Sequence, residues 1–377
     1  TEAQWQSSSN AAGFEPPPPY TDSRTLAGVW QTVALPHAPD VDLMRQATEK
    51  SSPVLTRTTW YRLSPPVVVS GKPLALYAAR IRTDGTLAVY VDGHLVHSAQ
   101  QHGPLWNSSR TPLWITLEPG AGGGSPREVL VRLEHSRATR VALSSFWLGP
   151  ADEISWRYHG RDWLQKELPG MFSSAFLAVG VFALLVWVLR RRELDYLLFF
   201  LLSAISFGRG LHFYVNFPIA NDWFAWFSFN SLFWLVIVVH FSIGRMHGRS
   251  QRWLTRALTV AAALMALLTL PFVAALPNTP KVTPLLYVMA ALMGASVMVS
   301  GLVHAWGRSR EAVVVSLGVG LATAFGVTDW LLQNNFISPE GWYLGAYTNA
   351  ITFGVFGYVI YRRYTGEYLV ARRVLRD

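Results

Sequence analysis

Residues 171–192 read MFSSAFLAVGVFALLVWVLRRR, with no charged side chain from Met171 to Leu189 and then three arginines in succession. A helix rising ~1.5 Å per residue needs ~20 such residues to cross a ~30 Å hydrocarbon layer, so this stretch reads as a transmembrane helix. Six more runs of that kind follow: Leu194–Tyr214, Trp223–Ile243, Leu254–Leu276, Leu285–Trp306, Ala312–Leu332 and Leu344–Tyr361. The connections between runs alternate. One set holds Arg190, Arg191 and Arg192, then Arg245, Arg249, Arg252 and Arg256, then Arg308 and Arg310, and after the last run Arg362, Arg363, Arg372, Arg373 and Arg376; the other set holds only Lys281. By the positive-inside rule the arginine side is cytoplasmic, which places the N-terminal segment outside and the C-terminus inside. Trp163, Trp223, Trp226, Trp253, Trp306, Trp342 and Tyr343 fall near run ends, where amphipathic rings favour the headgroup zone.

Mean hydropathy is only +0.23 because a polar first portion dilutes a very apolar second one. The formal charge of +9 is no nucleic-acid signal, since the arginines sit in juxtamembrane loops where they set orientation and meet anionic lipid. The chain has no cysteine, which suits an exported domain of a bacterial inner-membrane protein facing the periplasm. A domain placed outside ahead of the first span ordinarily needs a signal peptide, so a leader is expected to have been removed before Thr1.

The first twenty residues, ending in Pro16–Pro19, read as an extended, poorly ordered leader. Short strands with alternating apolar residues follow: Leu55–Leu63, Leu74–Ile81, Leu87–Val91, His94–Ala99, Leu113–Leu117, Val129–Leu133 and Val141–Leu148. Asp92-Gly93 between two of them predicts a type I′ hairpin turn. This spacing, without a helical period between strands, predicts an antiparallel β-sandwich or jelly roll. The expected fold is therefore an extracytoplasmic all-β jelly roll followed by an all-α seven-helix transmembrane bundle. Its expected parts are a disordered leader (1–20), a periplasmic β domain (21–150), a juxtamembrane linker (151–170), the bundle (171–364) and the start of a cytoplasmic signalling helix (365–377).

Gly28-Val29-Trp30 with Val33-Ala34-Leu35-Pro36-His37, then Thr59-Trp60-Tyr61-Arg62, then Leu87 to Gly93 resemble the galactose-binding-type jelly roll that precedes the catalytic domain in β-galactosidase-like glycoside hydrolases. Such a domain ahead of seven helices resembles the bacterial seven-transmembrane receptors with diverse intracellular signalling modules. The resemblance implies a sensor whose seventh helix runs on into a histidine kinase or a diguanylate cyclase, an output module expected beyond Asp377. Tyr361, Tyr364, Tyr368, Ala371 and Leu375 are spaced 3, 4, 3 and 4, the a/d rhythm of a coiled coil, with an ordinary basic membrane-exit helix as the alternative. Expected partners are the lipid bilayer, a periplasmic small-molecule, carbohydrate or protein ligand, the cytoplasmic module and a second copy of the chain.

No catalytic residues, cofactor or metal are expected. His94, His97, His102 and His135 come without an HExxH, paired-carboxylate or Gly-x-Ser-x-Gly pattern, and histidines on strands are usually surface residues. For ligand binding, Trp60, Trp106 and Trp114, with Trp147, are the aromatic candidates for stacking on a sugar ring, against the ordinary reading of a strand tryptophan as core. Trp106 stands apart because it lies in a turn-rich segment, Gln100–Pro112, rather than in a strand. Inside the membrane, ionisable residues need partners. Counting from the helix ends puts Arg209 and Asp329 at similar depth in the outer third of the layer, with His212 one turn above Arg209 and with Asn230 and Asn349 nearby. Together they are expected to form a polar cup open to the periplasm, against the alternative of an Arg–Asp bridge and amide contacts that only hold helices together. A transporter would show repeats and broken helices. A membrane-tethered carbohydrate enzyme would show an acid/base pair. A receptor accounts for the outside domain, the odd number of spans and the inside C-terminus together.

Overall fold

Asp92 and Gly93 both have positive φ, 49° and 86°, the backbone a type I′ turn requires, and they join strands β6 (Leu87–Val91) and β7 (His94–Ala99). The computed structural model describes residues 2–10, 15–39, 56–68, 72–83, 85–99, 111–117, 125–136, 140–214, 221–247, 251–272 and 283–374. The other strands are β1 (Glu2–Asn10), β2 (Gln31–Ala34), β3 (Thr56–Leu63), β4 (Leu74–Ala78), β5 (Ile81–Arg82), β8 (Leu113–Leu117), β9 (Val129–Ser136), β10 (Ala142–Leu143) and β11 (Phe146–Pro150). Two compact units result. The described residues up to Glu167, joined by Leu331–Trp342, make the first, and the long helices make the second.

In the first unit every strand pairing is antiparallel. A six-stranded sheet runs β2-β1-β3-β9-β6-β7, a three-stranded one runs β11-β4-β8, and β10 pairs with β5. Period-2 alternation sends Tyr61, Leu63, Val89, Val131 and Leu133 of the large sheet into one core with Leu76, Ala78, Leu113 and Ile115 of the small one. Side chains of this size, fully buried, stabilise by ~1.5–3 kcal/mol each. At its edge the Tyr61 hydroxyl and His37 Nδ1 lie 3.0 Å apart, and burial pushes the His37 pKa below its usual 6.5 and that of Tyr61 upward.

The opening residues are not a disordered leader. Strand β1 lies inside the large sheet, between β2 and β3, with Ser7 and Ser8 opposite Thr59 and Thr58. Its polar composition hides the strand because the ladder and hydroxyl pairs such as Ser7–Thr59 (3.4 Å) hold it, rather than a run of apolar side chains. The proline segment is fixed as well: Leu95 N–H donates to the Pro19 carbonyl at 3.0 Å, and the Tyr20 ring packs edge-on to His94. Glu15 N–H donates to the wholly buried Glu134, beside Arg132.

The segment expected to be a linker is also ordered. Helix α1 (Ala151–Asp162) continues through a π-helical turn (Trp163–Glu167) into α2 (Leu168–Leu189). It packs on the small sheet through Tyr158 against Trp114, ring centroids 5.5 Å apart.

The second unit contains α2, α3 (Leu194–Tyr214), α4 (Asn221–His247), α5 (Arg252–Leu268), α6 (Thr283–Ala305), α7 (Arg310–Gln333) and α8 (Thr348–Val374). Five candidate spans among the described residues, within α2, α3, α4, α6 and α7, are long and apolar enough to cross a membrane, the first of them continuous with α1. That is compatible with a membrane location. The helices approach through small residues: a Cβ at Gly180 of α2 would lie 1.7 Å from Ser203 Oγ of α3. Gly307, at positive φ, ends α6, and the Ser309 hydroxyl accepts from Ala312 N–H to start α7. The Tyr361-to-Leu375 coiled-coil spacing falls mostly on side chains outside the described residues.

Candidate functional site

The residues placed by depth counting take part in distinct polar ties within the helical unit. Arg209, near the C-terminal end of α3, donates from Nη1 to the Ser228 carbonyl of α4 at 2.9 Å. The Tyr287 hydroxyl of α6 is within hydrogen-bonding reach of the same guanidinium, and the Asp329 carboxylate of α7 acts favourably on its charge. A guanidinium in apolar surroundings requires such company.

Asp329 has a second role. Its two oxygens accept from Leu344 N–H at 2.7 Å and Gly345 N–H at 3.0 Å. These amides stand at the entry to the 3₁₀ turn Gly345–Tyr347 that leads into α8. A helix start exposes orphan N–H groups and the positive end of the helix dipole, and a carboxylate answers both.

The two asparagines tie other pairs of helices. Asn230, buried on α4, donates to the Trp226 carbonyl (2.9 Å) and to Thr269 Oγ1 (3.0 Å) just past α5. Asn349, buried at the start of α8, donates to Ser173 Oγ of α2 (2.9 Å) and to the Ser206 carbonyl of α3 (3.3 Å). Both amides thus act as interhelical bonds. His212 lies on α3, but its side chain is outside the described residues. Tyr287 escaped sequence reasoning because a tyrosine near the start of an apolar run reads as one more interfacial aromatic.

In the strand unit, Trp60 is packed inside, 7% exposed, its ring 5.8 Å from Tyr90 and covered by Leu26 and Trp30. Its face is closed to a sugar, which corrects its candidacy as a ligand contact. Trp114 is half-buried against Tyr158, with Nε1 donating to Thr116 Oγ1 at 3.2 Å. Trp147 is 43% exposed, and the Arg157 guanidinium lies over its ring at 4.2 Å. Trp106 falls outside the described residues. His135 is not a surface histidine: it is wholly buried, with Nε2 3.1 Å from Thr59 Oγ1. Among the described residues no group of three His, Asp or Glu side chains could hold a metal ion.

No protein-family model and no curated protein matches the chain. Among solved structures it is similar to the apo structure of Bacteroides uniformis beta-glucuronidase 3, at 12% identity and a TM-score of 0.23, over 40% of this chain. The match spans 21% of that enzyme's length.

Proposed function

We propose that the chain is the sensing portion of a bacterial inner-membrane receptor. In this reading the strand-rich unit is a periplasmic jelly-roll domain for a small-molecule, carbohydrate or protein ligand. The seven long helices form the transmembrane bundle, and the last of them carries the signal to a cytoplasmic module of histidine-kinase or diguanylate-cyclase type. The observation that carries the reading is the double engagement of Asp329, which caps the entry to α8 while acting on the Arg209 charge. One carboxylate thereby links a polar tie of α3, α4, α6 and α7 to the start of the helix that leaves the bundle. The arginine alternation of the loops supports the orientation.

The test places an environment-sensitive fluorophore at Tyr361, 65% exposed on α8, using a Tyr361→Cys variant of this cysteine-free chain. The labelled protein in nanodiscs is titrated with panels of mono- and oligosaccharides, amino acids and peptides. A receptor is expected to show a ligand that both raises thermal stability and changes emission at Tyr361. A ligand that stabilises the protein but leaves Tyr361 silent would reduce the chain to a tethered binding protein.

A further inference from the structure

Helix α7 ends in a Schellman motif. Asn335 takes the left-handed conformation at φ 58°, its N–H donates to the Leu332 carbonyl at 3.1 Å, and Phe336 N–H donates to the Leu331 carbonyl at 2.9 Å. The last carbonyls of such a helix carry the negative end of its dipole. Two of them are met by arginines from the strand-rich unit to which residues 331–342 belong. Arg80, next to β5 and 1% exposed, donates to the Leu332 carbonyl at 3.4 Å and to that of Pro339 at 3.2 Å. Arg140 donates to the Asn334 carbonyl and lies over the Phe336 ring.

Residues 331–342 form the hairpin that joins α7 to the start of α8, and its far side is held in the same way. Arg161 of α1, 8% exposed, donates to the Glu340 carbonyl at 3.2 Å and the Gly341 carbonyl at 2.7 Å, and its guanidinium lies 4.8 Å from the Trp342 ring centre. Ser145 N–H donates to the Glu340 carboxylate at 2.9 Å, and Asn335 Nδ2 to the Val141 carbonyl at 3.3 Å. All three arginines donate to backbone carbonyls of the hairpin. A buried guanidinium is costly unless its donors are answered, so Arg80 and Arg161 need the hairpin as much as it needs them. The chain runs from Trp342 straight into the Leu344 and Gly345 amides that Asp329 caps.

We infer that Arg80, Arg140 and Arg161 are positioning residues that clamp the hairpin backbone and so set the placement of α8, making this hairpin the route by which the state of the strand-rich unit enters the last helix. The inference deepens the receptor reading and rests on it for its meaning. A clamp whose guanidinium bonds go to carbonyls is sensitive to hairpin backbone geometry, which suits a part that must transmit displacement. Its lysine replacements keep the charge and lose the fork.

The test uses the whole chain in detergent, with no ligand and no output module, so its failure is distinguishable from failure of the receptor reading. Hydrogen exchange is followed in Arg80→Lys/Arg161→Lys and, separately, in Arg140→Ala. Spin labels on Leu194→Cys and Tyr361→Cys report the far end of α8. The expected result is exchange of the 336–348 amides faster by about tenfold or more, β9 amides unchanged, and a shifted distance distribution between the labels. Cross-linking a Ser145→Cys/Glu340→Cys pair in the clamp variants, before labels are introduced by an orthogonal chemistry at the same two positions, is expected to restore the original distribution. Faster exchange with an unmoved α8, or an unmoved hairpin, overturns the inference. Should β9 lose protection in the double variant, the Arg140→Ala result decides by the same two criteria.

Discussion

Asp329 occupies the space a side chain at Gly345 would need: a Cβ there would lie 2.3 Å from Asp329 Oδ2. The absent side chain lets the carboxylate reach both the Leu344 and the Gly345 amides. Gly345→Ala is therefore expected to displace the carboxylate and to lose its capping bonds, about 0.5–2 kcal/mol, which is one part of what Asp329→Ala loses. The double variant should be little worse than Asp329→Ala alone. Thermal unfolding in detergent measures all three, and strict additivity would show that the two positions act separately.

Arg209 and Asp329 provide a second cycle. Removing either partner of a desolvated charge pair commonly costs ~3–5 kcal/mol, and removing both recovers much of that loss. Each partner has further bonds, Arg209 to the Ser228 carbonyl and Asp329 to the Leu344 and Gly345 amides, so each single change is expected to cost more than the pair's mutual attraction alone. If the two losses simply add, the Coulomb interaction between them contributes nothing to stability.

His37 and His97 carry a pH dependence. Burial holds both pKa values below the usual 6.5, so the folded chain binds fewer protons than the unfolded one as pH falls through that value. Their neutral forms are fully compatible with folding above about 6.5, and stability is lost as pH drops from there toward the lowered folded-state values. Melting temperature measured from pH 7.5 down to 5.5 is expected to fall, and His37→Gln, which does not titrate, to flatten the slope. An unchanged slope would remove His37 from the account.

Strand β1 makes the chain's first residues structural. A version beginning at Glu15 would leave β2 and β3 without the partner that joins them, exposing two edges. It is expected to aggregate or to lose amide protection in β3, read by hydrogen exchange. Retained protection would mean that β2 and β3 can close on each other.

Orientation is open to direct labelling. Cysteines at Ser108 and Asn278 should react with an impermeant maleimide on spheroplasts, and one at Ser250 should not. Reaction at Ser250 would invert the topology drawn from the arginines.

Much of this was legible where a local rule governs. The Asp92-Gly93 turn followed from its φ requirement, and the α6–α7 connection carries its own punctuation in Gly307 and Ser309. Apolar length revealed the long helices. Strand β1 was hidden because QSSSN carries no alternation and is held by a ladder to a strand far along the chain. The π-helical turn left no compositional mark, so α1 passed for a linker. Depth counting found Arg209 and Asp329 but not Tyr287, since helix rotation decides which side chain meets a buried charge. Arg80, Arg140 and Arg161 were invisible for a different reason: their partners are carbonyls, which every residue has.

The hairpin 331–342 also bears on how the molecule is made. Along the chain the strands of the first unit come before this segment, and the helices α2 to α7 lie between them. Until this segment is made, Arg80 and Arg161 lack the hairpin carbonyls to which they donate. A molecule with a misplaced hairpin loses the bonds that Arg80 and Arg161 make to its carbonyls. The strand-rich unit is therefore finished only when a segment distant in the chain arrives.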